Sequence, residues 1–185
     1  MTFGSKSGKV RPRLNERELY EYAVKALGRH MRTEVELRRL MQQRAEFGEQ
    51  GEATIAAVVA RLKEQRYLDD QSYAETYARL RQQNDKLGAR RVRNDLAQKG
   101  LKSALIEETV GARYGETDEE TLARQHLERK RIKKPENERE TARVVRRLVG
   151  AGFTTGVIFK ILQQWDVPEE TLSAVESLDA EAGEE

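Results

Sequence analysis

Between Arg79 and Lys99 the chain carries seven cations, Arg79, Arg81, Lys86, Arg90, Arg91, Arg93 and Lys99, against two acids, Asp85 and Asp95. A second basic run, Arg129-Lys130-Arg131-x-Lys133-Lys134, is followed by Arg139, Arg143, Arg146 and Arg147. Such runs often serve only as solvated helix faces. They also offer ionic contact to a polyanion or to an acidic protein groove. Both clusters fall in corresponding parts of successive helical units, so stacked units would present one long cationic face. The expected contact residues are Arg79, Arg81, Arg90, Arg91, Arg93, Lys99, Arg129, Lys130, Arg143 and Arg147. Their helices also have an apolar stripe to bury, so the charged heads are expected to point outward.

Other chemistry finds little support. His30 and His126 are far apart and lack metal-ligand spacing. Asp69-Asp70 could suggest a carboxylate pair, but adjacent residues on a helix do not face each other, and helix capping is the simpler reading. Gly4-Ser5-Lys6-Ser7-Gly8-Lys9 is one residue short of a phosphate-binding loop, has Val10 where a hydroxyl would reach magnesium, and follows no strand. With no cysteine there is neither a disulfide nor thiol catalysis. The expectation is a non-enzymatic protein with no cofactor and no metal.

The elements that carry these residues are helices throughout. Leu19, Tyr22, Ala23, Ala26, Leu27 and His30 recur on one helical face. Thr33-x-x-Glu36 is a capping box opening the next helix, with Leu37, Leu40 and Met41 as its stripe. Glu46 to Gly51 reads as a polar loop, and Ile55, Val58, Val59 and Leu62 mark a third helix. The order then repeats. Helices are expected over Tyr73–Gln83, Ala89–Gln98 and Ser103–Tyr114, then over Glu119–Arg131, Glu138–Val149 and Thr155–Trp165. Tyr73, Tyr77 and Leu80 form an apolar stripe, as do Val92 and Leu96. Tyr67, Tyr73, Tyr77 and Tyr114 are read as packing ahead of base stacking. Gly88 breaks the chain, and Gly100 stands where a left-handed helix stop is wanted. Leu40, Leu96 and Leu148 align across the three middle helices and are expected at equivalent buried places. The fold class is therefore all-α, an elongated tandem array of three three-helix repeats. The expected domains are a disordered basic arm over 1–14, repeats over 15–68, 69–116 and 117–168, and an acidic tail over 169–185.

The central stretch also resembles a known family. Tyr67-Leu68-Asp69-Asp70, then Tyr73 and Ala74, Arg79-x-Arg81, and Gly88-x-x-Arg91-x-x-x-x-Leu96-x-x-Lys99-Gly100 is similar to the central signature of the RecX family. The resemblance implies tandem three-helix repeats and a protein that binds the RecA recombinase filament, limiting its strand-exchange, ATPase and co-protease activities. The long polar insertion around Glu46–Glu52 departs from the family pattern.

Bulk composition adds boundaries. Of 185 residues, 36% are charged and 37% hydrophobic, which suits thin stacked units better than one large core. Net charge is only +2, yet from Glu169 onward there are seven acids and no base. No apolar run approaches a membrane span of ~20 residues, and the start has no secretory h-region. A cytoplasmic monomer that avoids membranes is expected, with single- and double-stranded DNA as further partners through the basic face. Two other classes stay open: a general DNA-binding helical-repeat protein without RecA, and a scaffold whose charges confer solubility. A helix-turn-helix over Ala89 to Val110 is a further alternative. Its second helix would expose Glu107 and Glu108 to phosphates, which disfavours base reading.

Overall fold

Helix period and end signals are followed almost residue by residue. The computed structural model describes residues 12–167, and the regular structure among them is entirely α-helical. The order is α1 Glu16–Arg29, α2 Glu34–Gln42, α3 Glu49–Glu64, α4 Asp70–Gln83, α5 Ala89–Gln98, α6 Ser103–Tyr114, α7 Glu119–Arg129, α8 Glu138–Gly150 and α9 Thr155–Gln164. These form a tandem series of three helical triplets. Most of the basic arm, with the Gly4–Lys9 segment, and the acidic tail lie outside the described residues.

Short polar side chains start most of the helices. Asn15 and Thr33 each accept the N–H of the glutamate three residues on, and that glutamate accepts the cap's own N–H in return. Asp118 and Asn137 cap α7 and α8 in one direction only. Asp69 accepts from the backbone N–H groups of Gln71 and Ser72 at 2.9 and 3.1 Å, which makes it the cap of α4. The Ser72 hydroxyl donates to Asp69 as well, and that bond holds the carboxyl below its ordinary range. Asp70 turns elsewhere, accepting from the N–H of Glu34 in the first turn of α2 at 2.9 Å.

One stop recurs at the other ends. After α5, Gly100 is left-handed at φ 81°, Gly100 N–H donates to Ala97 O, and Leu101 N–H returns to Leu96 O. Gly152 after α8 does the same, with Phe153 N–H returning to Leu148 O. Arg66, Arg131 and Asp166 repeat the pattern after α3, α7 and α9 without glycine, and Lys86 is also left-handed after α4.

The chain divides into two compact units, Met1–Tyr73 and Ala74–Glu185, with the division falling inside α4. In the first, Leu19, Leu37, Met41, Ile55 and Leu62 are fully enclosed. In the second, Leu122, Leu127, Leu148, Phe153, Ile158 and Ile161 form a core against which Leu87 and Tyr114 pack. Val92, Leu96, Ile106 and Val110 are buried between α5 and α6. Each fully buried leucine of this kind contributes about 1.5–3 kcal/mol.

Several expectations need correction. Leu40 is only partly buried, and Met41 takes the core place in α2, because the buried face runs from Leu37 to Met41 at a spacing of four. Leu80 is 40% exposed. The buried face of α4 is Tyr73, Ala74, Ala78 and Gln82, and Gln82 is held by Thr117 Oγ1 at 2.8 Å. Glu49 to Gly51 belong to α3 rather than to a loop. Gly48 opens that helix at φ 79°, and a Cβ on Gly51 would overlap the carbonyl of Glu46. Helix α7 stops at Arg129, since Arg131 turns left-handed.

Candidate partner-binding face

The central cations do not all project freely. Arg81 on α4 pairs with Asp85 at 2.7 Å and its guanidinium lies 4.7 Å from the Tyr77 ring centre. The Asp85 bond is the main reason that Arg81 holds its proton more tightly than usual. Asp85 also meets Arg129 at 3.4 Å, so one acid joins the end of α4 to the end of α7. Lys99 lies over the same Tyr77 ring, 5.8 Å from its centre. The Tyr77 hydroxyl donates to Asp95 at 3.0 Å, and partial burial, with Asp95 as acceptor, raises its pKa. Asp95 pairs with Arg91 at 2.9 Å, and Arg93 takes Glu107 of α6 through Nε at 3.0 and 3.1 Å. Asp85 is therefore shared by two cations, Arg81 and Arg129, whereas Asp95 holds one cation, Arg91, and the Tyr77 hydroxyl. Arg79 and Arg90 are exposed and have no ion pair among the described residues.

The second cluster is arranged differently. Helix α8 buries Thr141, Val144, Val145 and Leu148. Arg139, Arg143, Arg146 and Arg147 recur at steps of four, three and one on the opposite side, all exposed and without ion pairs among the described residues. Lys130 is likewise exposed. The basic row continues toward α5 through the backbone. Gly88 N–H donates to Ala151 O at 2.8 Å, and Arg91 Nη1 reaches Gly150 O at 3.5 Å, one helical turn beyond Arg146 and Arg147. A Cβ on Gly88 would overlap the Gly152 carbonyl, and one on Gly152 would overlap Arg91. Two glycines thus let the start of α5 and the end of α8 touch, bringing Arg90 and Arg91 to the end of the arginine row.

Of the expected contact residues, this arrangement gathers Arg90, Arg91, Arg143 and Arg147. It ties Arg81, Arg93 and Arg129 to acids within the protein, and Arg91, although at the end of the row, also holds Asp95. Arg139 and Arg146 were not among them, although their helical spacing to Arg143 and Arg147 is visible in the sequence. Tyr67 is 56% exposed, whereas Leu68 and Tyr73 are buried. His126 is buried. Its Nδ1 lies 3.1 Å from the Asp85 carbonyl, and its ring meets Phe153 edge-on. On α6, Glu107 is already engaged by Arg93 and Glu108 is exposed, so the second helix of the α5–α6 pair offers acids where base reading would need donors. No helix among the described residues is long and apolar enough to cross a membrane.

Comparison with known proteins agrees with this architecture. Residues 69–110 match the family model described as RecX, second three-helix domain. Regulatory protein RecX of Thermus thermophilus is 30% identical over 154 residues, covering 83% of this chain and 94% of that protein. Regulatory protein RecX of Oceanobacillus iheyensis is 27% identical over 155 residues, and the chain spans 55% of its length. A crystal structure of RecX from Lactobacillus salivarius superposes with a TM-score of 0.62 at 21% identity, covering 82% of this chain and 96% of that one. A second crystal structure, of regulatory protein RecX, gives 0.65 at 21% identity over 80% of this chain and 71% of that one. With three helical triplets, the central signature in the second of them, and a relative matched over nearly its whole length, the chain belongs to the RecX family of regulatory proteins.

Proposed function

We propose that the chain is a non-enzymatic regulator that binds the RecA–DNA filament and restrains its recombinase, ATPase and co-protease activities. The observation that carries the reading is the outer face of α8. Arg139, Arg143, Arg146 and Arg147 are exposed without a neutralising acid among the described residues, on a member of a family of regulatory proteins. A row of guanidinium groups fits either the phosphates of bound DNA or an acidic protein surface. Arg90 and Arg91 extend the row. Arg79, Lys99 and Lys130 are secondary contacts, while Arg81, Arg93 and Arg129 support the face by holding acids. The working state is a monomer in the cytoplasm.

The test replaces Arg139, Arg143, Arg146 and Arg147 together by Ser and measures inhibition of RecA's DNA-dependent ATPase at low and high salt. Exposed positions of this kind each change stability by no more than about 0.5 kcal/mol, so cooperative melting is expected to persist. Inhibition is expected to weaken by roughly ten-fold or more at low salt, with a flatter salt dependence, as four modest ionic contacts are lost. A folded variant that inhibits like the parent at both salts rejects this face. General DNA binding without RecA is the second reading, favoured by the same unneutralised arginines. Capture of RecA with and without single-stranded DNA separates the two.

A further inference from the structure

The starts of α5 and α7, the end of α6 and the loop between α8 and α9 line a cavity of about 220 Å³. All of these segments belong to the second compact unit. Gly88, Ala89, Tyr114, Leu122 and Gly152 supply its apolar lining. Small-molecule and cofactor sites usually hold about 300–1,000 Å³, so this volume suits a single side chain better.

The polar side chains of the lining are nearly all engaged. The Tyr114 hydroxyl donates to Leu87 O at 3.0 Å. Thr117 Oγ1 accepts from Gln82 at 2.8 Å and donates to Arg113 O at 3.4 Å. Glu119, the one acid of the lining, accepts the N–H and the hydroxyl of Thr154 at 2.8 and 2.7 Å. Arg93 holds Glu107. Arg90 differs: it is the one exposed residue of the lining and makes no ion pair among the described residues. A nucleobase placed here would leave donors and acceptors of its edge unpaired. An apolar side chain would leave none, and a carboxylate beside it would meet the Arg90 guanidinium at the mouth. Interface hot spots are commonly anchors of this kind, set in a pocket and ringed by polar contacts. Charge nearby agrees with an acidic surround. Gly152 is also the left-handed stop of α8, so the cavity adjoins the end of the helix that carries the arginine row.

We propose that this cavity receives one apolar side chain from an acidic protein surface, that of the filament's protein subunits rather than its DNA, with a neighbouring carboxylate held by Arg90. This rests on the reading of the chain as a regulator of the RecA filament. The two features then divide the contact. The arginine row supplies attraction that salt weakens, and the cavity supplies an anchor that salt does not screen.

Ala89→Leu fills the cavity from its own lining, whereas Ala89→Ser leaves it open. Binding of each protein to RecA assembled on single-stranded DNA is measured at about 50 and about 300 mM salt, with the single-stranded oligonucleotide alone as a second ligand. Ala89→Leu is expected to weaken filament binding roughly ten-fold at both salts, as loss of a buried anchor does, and to leave oligonucleotide binding unchanged. Ala89→Ser is expected to bind like the parent. Arg90→Glu, at an exposed position that keeps the fold, is expected to weaken filament binding roughly ten-fold at about 50 mM salt and less at about 300 mM. Parent-like filament binding by Ala89→Leu overturns the proposal. So does a loss confined to low salt, or a matching loss for the oligonucleotide alone, which would put DNA at the cavity. Should Ala89→Leu fail to melt cooperatively, Arg90→Glu decides, and unchanged filament binding at low salt overturns the proposal. A parent protein that does not bind RecA overturns the functional reading and this proposal with it. Filament binding by the parent that a filled cavity leaves unaltered overturns the proposal alone.

Discussion

Asp69 and Asp70 are neighbours in the chain and serve different helices. The first caps α4 from within, a role readable from sequence because a cap acts over two or three residues. The second holds the first turn of α2, 36 positions away, and nothing local announces that partner. The same limit applies to Asp85 and Asp95, which sequence counting treats as two charges among seven cations. Their value depends on Arg129, Arg81, Arg91 and Tyr77 arriving from several helices. His126 shows what burial adds. Burial disfavours its charged form, the Asp85 carbonyl opposes that in part, and Lys130 and Arg129 reinforce it, so its pKa falls below the ordinary 6.5. A histidine depressed in the folded state binds its proton more readily when unfolded. Its contribution to stability is therefore complete above about 6.5 and is lost as the pH falls from there toward the folded value. Urea unfolding midpoints are expected to drop as the pH falls from about 7.5 to about 5, and the drop to shrink in His126→Gln. An equal slope in both proteins assigns the acid sensitivity to carboxylates instead.

Among the helices, period alone located all those in the second and third triplets, because apolar residues at three- and four-residue steps have few alternative explanations. Register was harder. Aligning Leu40 with Leu96 and Leu148 placed the wrong residue of α2 in the core, since Leu40 and Met41 are adjacent and both apolar. Packing decides between them. Leu96→Ala is expected to cost about 2–5 kcal/mol through lost contacts and a cavity. Leu40→Ala is expected to cost clearly less, under about 1.5 kcal/mol, because water already reaches that side chain. Chemical denaturation of the two variants checks the order, and equal losses would restore the sequence alignment. The start of α3 was missed for a different reason. Glycines at 48 and 51 look like a loop in sequence, yet the first supplies a left-handed entry and the second lets the helix lie on the Glu46 carbonyl.

For the whole molecule, the all-helical class and the order of triplets follow from patterns inside each segment. The gathering of the second and third triplets into one compact unit does not, because contacts such as Gly88 N–H to Ala151 O and Arg129 to Asp85 join segments far apart in the chain. Gly88 and Gly152 read in sequence as a break and a stop. In the fold they also leave room for the first of these contacts. Gly88→Ala is expected to destabilise by roughly 1–3 kcal/mol through overpacking against the Gly152 carbonyl. Gly152→Ala is expected to cost more, since its φ of 88° adds a left-handed penalty of roughly 1–2 kcal/mol. Thermal melting of each variant checks this, and a neutral Gly88→Ala would mean that the crossing relaxes without cost. For the proposed face, charge counting marked the central cations together with Arg129, Lys130, Arg143 and Arg147, but only the fold separates arginines that hold internal acids from arginines left to face outward.

The left-handed stops carry one more consequence. In four of them the inverted residue is Arg66, Lys86, Arg131 or Asp166, although glycine would adopt the conformation more easily. At Arg66, Arg131 and Asp166 the turn is held by the backbone bonds on either side, so the corner residue itself is not bound to one chemistry. Such corners can exchange one charged residue for another while the chain's path stays the same. A lineage adapting this scaffold to a partner of altered charge therefore has editable corners at the ends of its helices, separate from the core residues that maintain the fold.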